Sequence, residues 1–139
     1  MEIKPYIRKV NYYETDRMGI VHHSNYIRYF EEARIDAMEQ INCDCIEMEE
    51  MNLIIPVVDV YGKYLKSLRC RDEFAVYTKM TYFNGVKMEF DYEIRFKDDN
   101  SLSCTGHSTH CFINEKGRPV TVRKSHPDIY DKFMSLLEK

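Results

Sequence analysis

The run Val86-Lys87-Met88-Glu89-Phe90-Asp91-Tyr92-Glu93-Ile94-Arg95-Phe96 changes character at every step. Val86, Met88, Phe90, Tyr92, Ile94 and Phe96 share one side, and Lys87, Glu89, Asp91, Glu93 and Arg95 share the other. A period of two held this long predicts a strand with one buried face, the habit of antiparallel sheets. Upstream, Glu73 to Phe83 reads as a second strand, with Asn84-Gly85 between the two as a two-residue hairpin turn. Downstream, the polar turn Lys97-Asp98-Asp99-Asn100-Ser101 leads into a further strand from Leu102 to Ile113, which stops at Asn114-Glu115-Lys116-Gly117. Leu53 to Lys66 and Tyr6 to Tyr13 supply two more strands.

Between the first strand and the others the period switches to 3.6. From Ser24 to Ile41 the apolar positions Tyr26, Ile27, Phe30, Ala33, Ala37, Met38 and Ile41 recur at three and four residues, which predicts a long helix with Ser24 or Asn25 as its N-cap. Arg28, Glu31, Glu32, Arg34, Asp36 and Glu39 are assigned to its solvated side, with Glu32 close enough to the loop before the helix to border a site there. Cys43-Asp44-Cys45 reads as the helix exit, and Asp128 to Leu137 as a short terminal helix. Helix and strands are segregated along the chain, so the class is α+β: one five-stranded antiparallel sheet wrapped around one long central helix. A single helix leaves sheet edges and faces uncovered, which predicts a homo-oligomer, a dimer or a tetramer of dimers.

The chain is 139 residues with 44% hydrophobic residues and a formal net charge of -3, the size and composition of one domain spanning 1–139 that buries roughly two-thirds of its unfolded surface. Acidic balance argues against nucleic acid as a partner. No window approaches the ~18 apolar residues of a membrane span, the N-terminus has no apolar signal region, and five cysteines make an odd set, so a cytoplasmic protein with free thiols is expected. No Gly-rich phosphate loop and no Gly-x-Ser-x-Gly elbow occurs, which removes support for nucleotide hydrolysis, hydride transfer and a serine hydrolase. Cys104, His107, His110 and Cys111 hold metal-type ligands in eight residues, but on a strand Cys104 and His110 face away from His107 and Cys111. No metal and no cofactor is expected.

Chemistry-bearing residues are densest from Tyr12 to Tyr26, just ahead of the long helix. Asp16 lies seven residues before His23, far enough for its loop to fold back over the helix start. A helix N-terminus carries unpaired N–H groups and partial positive charge, which suits it to hold a carbonyl oxygen turning into an oxyanion. A carboxylate beside it serves as nucleophile or as general base toward water. By spacing alone the plainer assignments prevail: a loop aspartate near a glycine is ordinarily a turn residue, and paired histidines ordinarily lie on the surface.

The residues themselves go further. Tyr13-Glu14-Thr15-Asp16, then Gly19-Ile20-Val21-His22-His23-Ser24-Asn25-Tyr26, then Phe30-Glu31-Glu32-Ala33-Arg34 resemble the signature of the hotdog-fold thioesterases of the 4-hydroxybenzoyl-CoA thioesterase-like group. The stretch Tyr64 to Glu73 and the turn Gly117-Arg118-Pro119-Val120 extend the likeness to about nine-tenths of the chain. The resemblance implies a hotdog fold and hydrolysis of an acyl-CoA to free CoA and a carboxylic acid. It matches Asp16 to the catalytic aspartate, and the His23 N–H to the group that polarises the thioester carbonyl. It matches the His23 imidazole to a histidine of the acyl-CoA branch and Tyr13 and Tyr26 to positions that shape the site, with Gly19 and His22 as further candidates to border the substrate. It also implies a site between two subunits, with Arg69, Arg71 and Lys87 as candidates for the CoA phosphates beside Arg118, Arg123 and Lys124. Arg17-Met18 departs from the small residues usual after the aspartate, and His22 stands where an aromatic is frequent. An acyl carrier protein in place of CoA, and a non-catalytic acyl-thioester binder on the same fold, are the alternative readings.

Overall fold

In the computed structural model, which describes residues 2–137, five strands form one antiparallel sheet: β1 (Tyr6–Lys9), β2 (Val57–Tyr64), β3 (Glu73–Phe83), β4 (Lys87–Phe96) and β5 (Leu102–Cys111). Their order is β1-β3-β4-β5-β2, so β1 and β2 form the edges. The helix α1 (Ser24–Gln40) lies across the inner face; α2 (Cys45–Glu50), α3 (Val122–Ser125) and α4 (Pro127–Leu137) complete the chain. Thus the α+β sheet-and-helix architecture expected from the two periodicities is the one adopted.

The alternation in β4 translates directly into burial. Met88, Phe90, Tyr92, Ile94 and Phe96 are buried on the inner face of the sheet, while the charged set faces outward. Tyr29 and Phe30 of α1 are fully buried, and the Phe30 ring stacks on Tyr92 at 4.6 Å. That ring sits where β2 and β5 pair Gly62 with Gly106, two residues without side chains that let the helix approach. At the other end, Phe133 of α4 packs on Phe83 and Phe112. Each fully buried aromatic of this kind contributes roughly 1.5–3 kcal/mol.

Several boundaries differ from expectation, each for a local reason. β1 ends at Lys9 because Asn11 opens a 3-10 turn, Tyr12–Glu14, in which the Glu14 carboxylate accepts from the Asn11 N–H. β2 starts only at Val57, after Pro56 has removed a ladder donor, while Ile54 forms a separate bridge to Ile113. The connection from β3 to β4 takes Asn84, Gly85 and Val86 rather than two residues: the Asn84 side chain accepts from the Val86 and Lys87 N–H groups, and the Val86 carbonyl turns to Phe112. Neither Ser24 nor Asn25 caps α1; His23 holds that position in helical conformation, and Asn25 instead reaches back to the Glu14 carbonyl. Asp44 does not close a helix but opens α2, its carboxylate accepting from the Ile46 N–H.

Arg34 also departs from its assigned solvated face. It is buried, and its Nη1 donates to the Tyr92 hydroxyl, which is 2.6 Å from Ser108 Oγ, itself 2.7 Å from His110 Nε2. Burial, with the Arg34 charge adding to it, pushes the His110 imidazole down to about 4. Folded His110 is therefore neutral where unfolded His110, at an ordinary ~6.5, takes up a proton. Stability from this residue is complete above about pH 6.5 and is lost as pH falls toward 4, by up to about 3 kcal/mol. Urea unfolding across that range should show the decline, and His110→Asn should flatten it; an equal slope in both proteins would refute the assignment.

Candidate active site

Asp16 sits at the head of a small hairpin between the 3-10 turn and α1. Thr15 bridges Val21, the Asp16 N–H donates to the Ile20 carbonyl, and the Gly19 N–H returns to the Asp16 carbonyl. Gly19 has φ +80, which a glycine adopts without cost and which lets the chain reverse in so few residues. The Asp16 carboxylate accepts one bond, from the Met18 N–H at 2.8 Å, and is half-buried. It lines a shallow hollow of about 540 Å³ with Tyr12, Tyr13, Thr15, Arg17 and Gly19. Its free lone pairs leave it able to accept a proton from water or to attack a carbonyl.

The hairpin returns the chain to α1 at His22 and His23, whose rings stack at 4.2 Å. The Ser24 N–H is taken by His22 Nδ1, the Asn25 N–H by the His22 carbonyl and the Tyr26 N–H by the His23 carbonyl. No acceptor among the described residues takes the His23 N–H, so that donor remains at the positive end of a 17-residue helix. Tyr64 of β2 donates to the His23 carbonyl and meets the His23 ring edge-on at 6.5 Å.

The remaining sequence candidates divide. Tyr13 is 80% exposed over the hollow, held by a bond from Asn11 Nδ2 to its hydroxyl. Arg69 bridges Ile20 through the backbone, and its guanidinium lies beside Gly19. Tyr26 is buried and acts from below: its hydroxyl accepts from the Leu68 N–H and fixes the loop that carries Arg69. Two candidates are not brought to the hollow. Arg71 lines a separate depression with Lys9, Asp72, Glu73, Phe96, Lys97 and Asp98, and Lys87 lies at the opposite end of the sheet, paired with Glu89.

Arg8, Glu14 and Tyr29 join the site although no spacing in the sequence marks them as working parts. Glu14 is 5% exposed, and its Oε1 accepts from Arg8 Nη1 at 2.8 Å, the Asn11 N–H at 2.9 Å and the Tyr29 hydroxyl at 2.9 Å. Burial works to raise the Glu14 carboxyl, but the Arg8, Asn11 and Tyr29 bonds outweigh it and hold it below the usual carboxylate range. The signal in the sequence was faint: a charged residue at alternate positions of a short edge strand ordinarily faces water.

The model of the family described as the thioesterase-like superfamily matches residues 10–133. The chain is 36% identical over 119 residues to an Aquifex aeolicus protein named "Putative esterase", covering 86% of this chain and 91% of that one. It is 34% identical over 126 residues to the Bacillus subtilis "Putative acyl-CoA thioesterase YneP", covering 90% and 91% of the two chains. The crystal structure of a DHNA-CoA thioesterase from Staphylococcus aureus superposes with a TM-score of 0.91 at 26% identity, over 97% of this chain and 91% of that one.

Proposed function

The chain belongs to the thioesterase-like superfamily, and on that footing we propose that Asp16 and the N-terminus of α1 hydrolyse an acyl-CoA to free CoA and a carboxylic acid. It is a thioester hydrolase by its relatives. The observation that carries the assignment of the site is the unclaimed His23 N–H at the helix start, next to a hairpin that presents a carboxylate with free lone pairs. In the reaction, the thioester carbonyl accepts from the His23 N–H, which stabilises the charge that develops on oxygen. Asp16 takes a proton from water as that water's oxygen adds to the carbonyl carbon, or adds to the carbon itself and forms an anhydride that water then opens; in either course the C–S bond breaks, CoA leaves as the thiolate, and the acid is released with Asp16 regenerated. Tyr13, Gly19 and His22 border the acyl group, Tyr26 fixes the loop beneath it, and of Arg69, Arg71 and Lys87 it is Arg69, beside Gly19, that meets the CoA phosphates from the same chain, with Arg17 also at the hollow. Arg71 and Lys87 reach that end of the substrate only from a second subunit.

β2 is an edge strand on which Val57, Val58, Val60, Tyr61 and Tyr64 are exposed, a long apolar edge of the kind that proteins cover. A second copy docked there covers that edge and turns the open hollow beside Asp16 into an enclosed site, giving a dimer or a tetramer of dimers. Val60→Lys is then expected to shift the molar mass in light scattering to that of the monomer and to lower turnover at least tenfold. An unchanged mass would place the interface elsewhere. All five cysteines are free, which supports a reducing, cytoplasmic setting, and among the described residues no helix is long and apolar enough to cross a membrane.

One observation favours a second carrier: the chain is 28% identical, over 94% of its length, to an Arabidopsis thaliana protein named as an acyl-acyl carrier protein thioesterase. Initial rates on matched acyl-CoA and acyl carrier protein substrates separate the two. Preference for acyl-CoA supports the proposal; turnover confined to the carrier protein, and suppressed by salt, selects the alternative.

A further inference from the structure

We propose that Glu14 is a positioning residue, which clamps the Asp16 hairpin to the N-terminus of α1 and so fixes the carboxylate relative to the His23 N–H. The inference rests on the reading of Asp16 above and adds to it a part that touches no substrate. Glu14 works through both its ends. Its carbonyl accepts from the His22 N–H at 2.9 Å and from Asn25 Nδ2 at 2.9 Å, which closes the base of the hairpin and pins it to the first turn of the helix. Its carboxylate gathers Arg8 from β1, the Asn11 N–H from the 3-10 turn and Tyr29 from the second turn of α1.

The anchor is itself braced. Arg8 Nε meets Glu32 at 3.0 Å, Tyr6 donates to the same Glu32 oxygen at 3.0 Å, and the Arg8 guanidinium lies over the Tyr29 ring at 4.8 Å. Four segments thus converge on one residue that stands two positions before Asp16. Nothing else among the described residues ties the carboxylate side of the hairpin to the helix by side-chain bonds: Asp16 itself bonds only within its own turn. Displacement of a reacting group by about an ångström costs on the order of 100-fold in rate, so loosening this clamp should show in turnover before it shows in affinity.

The test uses Glu14→Gln, which keeps the shape but removes the charge that gathers the donors, and Asn25→Ala, which cuts the carbonyl bond and leaves the buried ion pair intact. Turnover is measured on the acyl-CoA that the wild-type protein hydrolyses best, at a temperature where circular dichroism shows each variant folded. Expected is a fall in kcat of about 30- to 100-fold for Glu14→Gln and about fivefold for Asn25→Ala, with KM within about twofold in both. A structural role alone lowers the melting temperature and leaves kcat per folded molecule unchanged, and that result overturns the proposal. Should Glu14→Gln fail to fold, Asn25→Ala decides by the same split. Run beside them, Asp16→Asn separates the two claims: inactive Asp16→Asn with unaffected Glu14→Gln and Asn25→Ala refutes the clamp alone, and active Asp16→Asn refutes both.

Discussion

Asp16→Asn is expected to lower kcat by about 1,000-fold while the protein keeps its fold and assembly. The amide keeps the size of the side chain and can still accept from the Met18 N–H through its oxygen, so the turn survives. What disappears is the ability to take a proton or to attack carbon, a contribution of about 10²–10⁴ for a positioned general base. His23→Ala is the informative contrast. Its imidazole stacks on His22 and meets Tyr64, but the group assigned to the oxyanion is the backbone N–H, which alanine retains. The expected loss is about tenfold or less, well below a positioned donor's usual ~10²–10³. Steady-state kinetics on one acyl-CoA reads both, and equal losses in the two variants would mean that the imidazole carries chemistry assigned here to the amide.

Gly106→Ala is expected to cost about 3 kcal/mol of stability, a large effect for one methyl group. A Cβ at this position would stand 2.3 Å from Phe30 Cζ and 2.4 Å from Phe30 Cε2. An exposed ring would swing aside, but Phe30 is wholly buried and is held flat against Tyr92. The helix would have to rise from the sheet or Phe30 leave its rotamer, and interiors at crystal-like density accommodate neither cheaply. Because α1 carries His23 at its start, a raised helix also shifts that N–H relative to the sheet. Denaturant midpoints measure the stability loss, and a double variant Gly106→Ala with Phe30→Leu should recover part of it. A neutral Gly106→Ala would show that the close approach of helix to sheet does not set the geometry of the site.

The sequence was most legible where burial alone dictates the pattern. β4 has one face in the core and one in water, so its charged and apolar residues alternate without exception from Lys87 to Phe96, and β3 and β5 follow within two residues. Legibility fell where polar groups enter the interior. Arg34 has the composition of a solvated position, and only the hydroxyl of Tyr92, 58 residues away in the chain, explains its burial. Glu14 is similar: its partners Arg8 and Tyr29 are contributed by a strand and a helix, and nothing in the local spacing announces that they meet. The cap of α1 is hidden for a related reason. Asn25 has the ideal chemistry for an N-cap, yet the Glu14 carbonyl, brought near by the hairpin, claims its side chain. The candidate site divides along the same line. Asp16, Gly19 and Tyr13 could be brought together because they share one short loop. Lys87 begins β4 at the far end of the sheet, and Arg71, although its N–H donates to the Val10 carbonyl at the near end, lines a different depression; no sequence spacing encodes either separation.

The most direct measurement is free-thiol release from a panel of short, medium, long and aromatic acyl-CoAs, with wild-type protein and Asp16→Asn side by side. Catalysis by Asp16 predicts turnover of at least one class by the wild-type protein and its near-complete loss in the variant. Undiminished turnover by Asp16→Asn would contradict it.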